Sequence, residues 1–218
     1  MSGIGTPPTY SLETFRNKEG PLIDIRSPKE FHQGHWPGAT NIPLFNDDER
    51  VIIGTCYKKK GRKQAIALGL KITKPKLLKL KESLEQKHTN SKKSFLRIYC
   101  WRGGLRSSSV GFFANLLGLN PILLNGGYKT YRRWVLNEFD RPWPIKLIGG
   151  RTGTGKTCLL KALQAKGISI IDLEGLANHR GSSFGGIGLP SQPSSEQFEN
   201  LLAEKLEVFA ENKPQGIW

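Results

Sequence analysis

The feature that most constrains the fold of this chain is the alternation of short apolar runs with stretches of helical periodicity. Each run has three to six residues and ends at turn residues, as buried strands do. The runs that are strand candidates are Pro21–Ile25, Val51–Ile53, Ser94–Tyr99, Pro121–Leu124, Ile145–Ile148 and Ile168–Ile171. Because strands that alternate with helices are typical of parallel sheets, the sequence predicts an α/β fold.

Helical patterns lie between these runs. Leu77, Leu80 and Leu84 share one helical face that is surrounded by lysines. A second helix is predicted from Val110, with Ser107–Ser109 as its cap. Further helices are predicted over Cys158–Ala165 and Glu196–Ala210.

A domain boundary is predicted at Asn137–Pro144, where charges and two prolines interrupt the periodicity. Residues 10–137 have the size of a full domain. Residues 145–218 hold two strand candidates, which is too few for a parallel sheet covered on both faces. We therefore expect the second domain to be incomplete, either in a truncated chain or in one half of a split enzyme that a second chain completes.

The positive charge is concentrated in one block. The chain has 33 Lys and Arg against 18 Asp and Glu, a formal net charge of +15. Residues 58–106 hold 16 of these basic residues and only two of the acidic ones, so they account for +14. Such a block indicates a polyanionic partner: nucleic acid first, then a phosphorylated small molecule or an anionic membrane. A solvated surface that only maintains solubility is the alternative.

The cysteines and histidines indicate a reduced protein without a metal. Three cysteines are too few for a disulfide framework, and the four histidines show no zinc-ligand spacing with them. The sequence has no signal peptide and no run of 18 apolar residues. We expect a soluble, cytoplasmic protein that does not enter a membrane.

Cys100 lies between the strand candidate that ends at Tyr99 and a helix start, in a Cys-x5-Arg arrangement. Gly103 and Gly104 allow backbone amides to turn inward and cradle an anion, and Arg106 adds a cation. These groups and the helix dipole favour a nucleophilic thiolate. Phosphoester hydrolysis and the transfer of sulfur or selenium both use such a cradle. A buried structural cysteine is the alternative without catalysis.

The residues before this loop resemble the rhodanese family. Asp24–Phe31 and Gly34–Pro43 are similar to its paired N-terminal motifs, and Leu124–Tyr128 with Trp134 is similar to its closing segment. The resemblance implies a rhodanese-like domain over residues 10–137. Five residues separate Cys100 from the arginine where common single-domain rhodaneses have four, as in phosphatase-like relatives. A wider loop suits a bulkier group than sulfur.

Three charged residues within the first motif are expected to have a structural role. Asp24, Arg26 and Glu30 are interpreted as members of ion pairs that hold the surroundings of the cysteine loop, and a contact with the substrate is the alternative.

Residues Gly150–Thr157 fit the Walker A pattern between a strand candidate and a helical stretch. Its candidate binding residues are Gly150, Gly153, Gly155, Lys156 and Thr157. The loop amides and Lys156 would bind a diphosphate, and Thr157 could hold Mg²⁺ together with Asp172 or Glu174. A glycine-rich turn formed by chance is the alternative.

The glycine- and serine-rich segment Asp172–Gly188 follows the Walker A region. It carries His179, Arg180 and Phe184, which suit a loop that closes on a phosphate or stacks on a base. An ordinary flexible linker is the alternative.

A rhodanese-like domain followed by a P-loop, together with Gly54–Lys58 and Ala65–Gly69, resembles the tRNA 2-selenouridine synthase family. The resemblance implies a bacterial enzyme that replaces the sulfur of 2-thiouridine with selenium at the wobble position of the tRNA anticodon. Selenophosphate and geranyl diphosphate would be co-substrates, with an S-geranylated intermediate and no tightly bound cofactor. Cys100 would be the essential thiol, Gly54 would shape the site, and Gly150–Thr157 would hold the geranyl donor.

Other functions remain open from the sequence. The chain could be a tRNA-binding fragment without full activity, or a cysteine-dependent sulfurtransferase or phosphatase. A P-loop ATPase or kinase is the remaining possibility.

Overall fold

The computed structural model describes residues 5–89, 95–151, 153–179, 185–186 and 188–211. Contacts divide the chain into two compact units, Met1–Tyr131 and Arg132–Trp218. The division falls inside helix α7, which covers Gly127–Phe139.

The first unit contains a five-stranded parallel sheet in the order β1-β5-β4-β2-β3. The strands are β1 Thr9–Tyr10, β2 Leu22–Asp24, β3 Thr40–Asn41, β4 Leu96–Tyr99 and β5 Pro121–Leu124. The helices before α7 are α1 Leu12–Arg16, α2 Pro28–Gln33, α3 Asp47–Lys60, α4 Arg62–Thr73, α5 Leu77–Thr89 and α6 Leu105–Leu116. The predicted parallel α/β fold is confirmed.

The register of the central strands determines which residues meet at the edge of the sheet where the candidate site lies. Asp24 of β2 pairs with Tyr99 of β4, and Ile98 of β4 pairs with Leu123 of β5. Ile23 and Ile98 are fully buried, which fixes this register because a shift by one residue would expose them. Since parallel strands end at the same edge of a sheet, the chain leaves β2 and β4 side by side.

The predicted strand Val51–Ile53 is wrong, because these residues belong to α3. Asn46 caps this helix through a capping box with Glu49, and three acidic residues fill its first turn. These start signals outweigh the strand preference of a β-branched run. Val51 is 67% exposed, as a residue on the outer face of a surface helix can be.

The predicted serine cap of α6 is also wrong. Gly104 is the N-cap residue, so Ser107–Ser109 lie inside the first turns of the helix. The helix begins at Leu105, directly after the glycine-containing loop, which is earlier than the serine pattern predicts.

The second unit contains α8 Lys156–Ala165, α9 Leu173–Leu176 and α10 Ser195–Glu211. The predicted strands Ile145–Ile148 and Ile168–Ile171 are not strands in the described part of this unit, where Ile145 and Ser169 form only isolated bridges. Leu147 is 85% exposed, so this run lacks the cover that a buried strand needs. Among the described helices of both units, none has the length and apolar character needed to cross a membrane.

Candidate active site

The loop that carries Cys100 connects β4 to α6 and is held by the start of α7. The carbonyl oxygen of Cys100 accepts a hydrogen bond from the Tyr128 amide at 2.8 Å, and that of Trp101 accepts one from the Lys129 amide at 3.0 Å. Cys100 is only 3% exposed. The thiol therefore occupies a fixed position at the carboxyl edge of the sheet.

Two glycines make this close approach possible. Gly103 has a φ of +66° and Gly127 a φ of +60°, a region that favours glycine. A Cβ atom on Gly127 would lie 2.3 Å from the Cys100 carbonyl oxygen, and one on Gly103 would lie 2.7 Å from the Leu124 carbonyl oxygen. Gly104 has a negative φ and open space at its Cβ position, so the backbone turn depends on Gly103.

The loop leaves hydrogen-bond donors available. Within the described residues, the backbone amides of 102–105 donate no hydrogen bond. Gly104 also has no side chain that could cap the first turn of α6. Because the start of a helix has unsatisfied N–H groups and a positive dipole end, this loop can bind an anion beside Cys100.

Ser107 contacts the thiol directly, although the sequence suggested only a capping role for it. Its Oγ atom lies 3.2 Å from Cys100 Sγ and 2.9 Å from the Gly104 carbonyl oxygen. The single hydroxyl proton can bond to that carbonyl while the thiol is protonated, and turn to the sulfur when a thiolate forms.

The predicted ion pairs around the loop are confirmed. The Arg26 guanidinium bonds to Asp24 at 2.6 Å and to the Gly34 carbonyl oxygen at 2.6 Å, and it lies 3.8 Å from the centre of the Tyr128 ring. Both members of the Arg26–Asp24 pair are buried. The pair therefore anchors the end of β2 next to the cysteine loop.

Arg106 forms the second ion pair, with Glu30 of α2 at 2.8 Å. Burial alone would raise the pKa of Glu30, but the hydrogen bond and charge of Arg106 hold it below its usual value. Arg106 therefore connects the loop to α2. Arg102 is exposed and makes no ion pair within the described residues, so it is the loop cation that remains available to an anion.

Gly54 lies in α3 and reaches the loop only through other side chains. A Cβ atom at this position would lie 2.9 Å from Nη1 of Arg50. Arg50 in turn lies 3.6 Å from Glu30, the partner of Arg106. Gly54 leaves room for this arginine rather than touching the thiol.

Of the predicted Walker A residues, Gly153, Gly155, Lys156 and Thr157 line a cavity of about 500 Å³ in the second unit, whereas Gly150 does not. Gly155 has a φ of +81° and is the N-cap residue of α8, while Thr152 lies outside the described residues. Lys156 Nζ donates to the carbonyl oxygens of Gly150 and Arg151 at 3.0 and 3.1 Å. The lysine thus bonds to its own loop. The oxygens of a bound diphosphate would replace these carbonyl oxygens as its hydrogen-bond acceptors.

The carboxylates near this loop already have partners. Glu174 lies 3.9 Å from Lys156, and Asp172 accepts a hydrogen bond from the Gly175 amide as the cap of α9. Within the described residues, no group of three or more His, Cys, Asp or Glu is arranged around a metal position. His179 also lines the cavity, whereas Arg180 and Phe184 lie outside the described residues.

A cysteine loop at the carboxyl edge of a five-stranded parallel sheet defines a rhodanese-like protein, and a model of the rhodanese-like domain matches residues 9–133. A second model, of the tRNA 2-selenouridine synthase AAA domain, matches residues 143–217. The chain belongs to the tRNA 2-selenouridine synthase family.

Individual relatives agree with this assignment. A tRNA 2-selenouridine synthase of Hydrogenovibrio crunogenus is 40% identical over 208 residues, which cover 90% of this chain and 55% of the relative. One of Serratia proteamaculans is 44% identical, covering 84% and 48%. The chain thus spans about half the length of the curated relatives it matches.

One solved structure supports the fold of the first unit. It is the N-terminal domain of a Clostridium difficile 630 protein described as ATP/GTP binding, which is 33% identical. The match covers 59% of this chain and 98% of that one, with a TM-score of 0.56.

Proposed function

We propose that this chain acts in tRNA modification as a transferase that replaces the sulfur of wobble 2-thiouridine with selenium. The observation that carries the proposal is the loop in which Cys100 lies beside backbone amides that donate no hydrogen bond to any part of the chain that the structure describes. Family membership and the Walker A residues of the same chain support it.

In the selenium-transfer step, the phosphate of selenophosphate binds the amides of residues 102–105 and the Arg102 guanidinium. Selenium forms a bond to C2 of the base, the bond from C2 to the alkylated sulfur breaks, and geranyl thiolate leaves. The selenium–phosphorus bond then breaks as water takes up the phosphoryl group, phosphate leaves, and selenium stays on C2. Cys100 is the essential thiol of this step, Gly103 and Gly104 shape the cradle, and Arg106 holds it through Glu30.

The alkylation that precedes it uses the Walker A loop. Gly150, Gly153, Gly155, Lys156 and Thr157 hold the diphosphate of geranyl diphosphate. The thiocarbonyl sulfur forms a bond to the geranyl carbon, and diphosphate leaves with the electrons of the broken carbon–oxygen bond. Alkylation makes the sulfur a good leaving group for the selenium step. This use of the loop requires no ATP hydrolysis.

The basic block of the first unit attracts the tRNA. Its residues on α3 and α4 are exposed, among them Lys58, Lys59, Lys60, Arg62 and Lys63. Lys92 and Lys93 belong to the same block but lie outside the described residues. Clustered cations of this kind bind the phosphates of nucleic acids.

The test is incubation of the chain with thiolated tRNA, geranyl diphosphate and selenophosphate, followed by mass spectrometry of the nucleosides. We expect 2-selenouridine from the unaltered chain and no geranylated nucleoside from Lys156→Ala. Absence of both modified nucleosides with the unaltered chain would contradict the proposal. Cleavage of phosphoesters or of ATP instead would favour a phosphatase or an ATPase.

A further inference from the structure

A cluster of aromatic rings reaches the protein surface at the cysteine loop. The centres of neighbouring rings lie 4.4 to 6.4 Å apart. The members of this aromatic cluster are Phe15, Trp36, Tyr99, Trp101, Tyr128 and Tyr131. Five of these six side chains are buried, whereas Trp101 is only half-buried. The part of the cluster that remains accessible to a ligand is therefore the indole directly after Cys100.

The Trp101 indole is held in place by its neighbours. Its ring centre lies 5.7 Å from that of the buried Tyr128 ring and 5.8 Å from Cζ of Arg26. Arg26 is itself fixed by its buried ion pair with Asp24. The Trp101 carbonyl oxygen accepts a hydrogen bond from the Lys129 amide, which fixes the backbone. A flat group that binds to this ring thus meets a side chain that is already ordered, which reduces the entropic cost of binding.

The accessible indole suits a nucleobase. Every base has a π face that stacks on aromatic side chains, and single-stranded RNA is commonly bound in this way. Cys100 is only 3% exposed, so the accessible flat surface beside the thiol belongs to Trp101. The basic block that ends at Arg106 attracts the phosphates of the same RNA. An aromatic platform near clustered cations is typical of a surface that binds RNA.

We propose that Trp101 stacks on the target base of the tRNA and holds it beside Cys100. This role rests on the proposed function and adds to it a residue that binds the base. Since Trp101 and Cys100 are consecutive, their Cα atoms are about 3.8 Å apart, which keeps a stacked base next to the thiol. Stacking covers one face of the base and leaves the other open. The selenium nucleophile adds to C2 through that open face, because a trigonal carbon is attacked perpendicular to its plane.

The test compares the binding of two anticodon stem-loop RNAs to the full chain by fluorescence anisotropy, without selenophosphate or geranyl diphosphate. One RNA carries 2-thiouridine at the wobble position, and the other carries an abasic site there. We expect the unaltered chain to bind the thiolated RNA at least about tenfold more tightly, as is typical of one base stacked on an aromatic ring. Trp101→Leu should bring the ratio of the two affinities close to one by weakening only the binding of the thiolated RNA. Trp101→Phe keeps a ring and should retain most of the ratio.

Trp143→Leu is the matched control. Trp143 is also half-buried, and its indole N–H donates to the carbonyl oxygen of Glu138 in the second unit. This variant should leave the ratio of the two affinities unchanged. The affinity of Trp101→Leu for the abasic RNA should equal that of the unaltered chain, which shows that the variant is folded.

A ratio that is the same in Trp101→Leu and in the unaltered chain would overturn the inference, and so would a ratio near one in the unaltered chain. Equal weakening of both RNAs in Trp101→Leu would also overturn it, because the indole would then only support the fold of the loop. Binding of neither RNA by the unaltered chain would overturn the inference together with the proposed function. Absence of 2-selenouridine from the tRNA reaction would contradict the proposed function alone, because the binding test involves no turnover.

Discussion

Ser107 is the residue whose contact with Cys100 most directly affects the sulfur, since their side-chain atoms lie 3.2 Å apart. Ser107→Ala removes the hydroxyl that can donate to a thiolate, and hydrogen bonds to charged groups stabilise by about 1.5–3 kcal/mol. We expect alkylation of Cys100 by iodoacetamide at pH 7 to slow about tenfold, as followed by intact-protein mass spectrometry. Ser108→Ala is the control because Ser108 bonds only to backbone carbonyls. Equal rates in the two variants would show that the hydroxyl does not assist the sulfur.

Glu30 gives the fold a pH dependence with a defined sign. Its pKa is lowered in the folded chain, because Arg106 outweighs the effect of burial. The carboxylate therefore stabilises the fold above the pKa of the unfolded chain, about 4.3, and this contribution is lost as the pH falls through the lower folded value. Glu30→Gln should lower the free energy of unfolding by about 1–2 kcal/mol at pH 7 and by much less near pH 3.

Urea unfolding at the two pH values measures this difference. Asp48→Asn is the control, because Asp48 is an exposed carboxylate on α3, and it should change stability by less than about 0.5 kcal/mol. A loss in Glu30→Gln that is the same at both pH values would contradict a role for the ionised carboxylate.

At the scale of elements, the junction between the cysteine loop and α7 depends on Gly127. Gly127→Ala would place a methyl group 2.3 Å from the Cys100 carbonyl oxygen at a positive φ, so the start of α7 must move away from the loop. We expect a loss of about 2–4 kcal/mol in thermal or urea unfolding. Gly104→Ala meets nothing within 4 Å and should cost less than about 1 kcal/mol. Similar losses in both variants would show that the approach at Gly127 is not required.

The elements also show what the sequence could predict. Pro121–Leu124 forms a strand as expected, because four consecutive buried apolar residues suit the centre of a parallel sheet. The prediction of a strand over Val51–Ile53 is wrong because the capping box at Asn46 starts a helix before the apolar run begins. Apolar periodicity alone does not show whether a capping box or a run of β-branched residues decides the local structure.

The site shows the same limit. The position of Cys100 after a strand, and the ion pairs of Arg26 and Glu30, followed from sequence motifs. The contact of Ser107 with the thiol could not be predicted, because it depends on where α6 begins. A cavity of about 260 Å³ in the first unit is lined by residues of α3, α4, α5 and α6, so no local sequence pattern reveals it.

At the scale of the whole molecule, the net charge of +15 predicts that tRNA binding depends strongly on salt. Binding releases counterions from the tRNA phosphates, and this release is less favourable at higher salt. The affinity should therefore fall at least about tenfold between about 50 and 200 mM salt. Fluorescence anisotropy with labelled tRNA measures this dependence. Replacement of Lys58, Lys59 and Lys60 by Gln should make the dependence shallower. A flat response in the unaltered chain would remove the basic block from the binding site.

The central claim is that the Cys100 thiol is essential for the step in which selenium replaces the alkylated sulfur at C2 of the base. Its most direct test supplies tRNA that already contains S-geranyl-2-thiouridine, together with selenophosphate, and measures 2-selenouridine by nucleoside mass spectrometry. We expect formation of this nucleoside by the unaltered chain and by Cys56→Ser, and at least a hundredfold less by Cys100→Ser, an order of loss typical of an essential catalytic residue. Formation of 2-selenouridine by Cys100→Ser at the rate of the unaltered chain would contradict the claim.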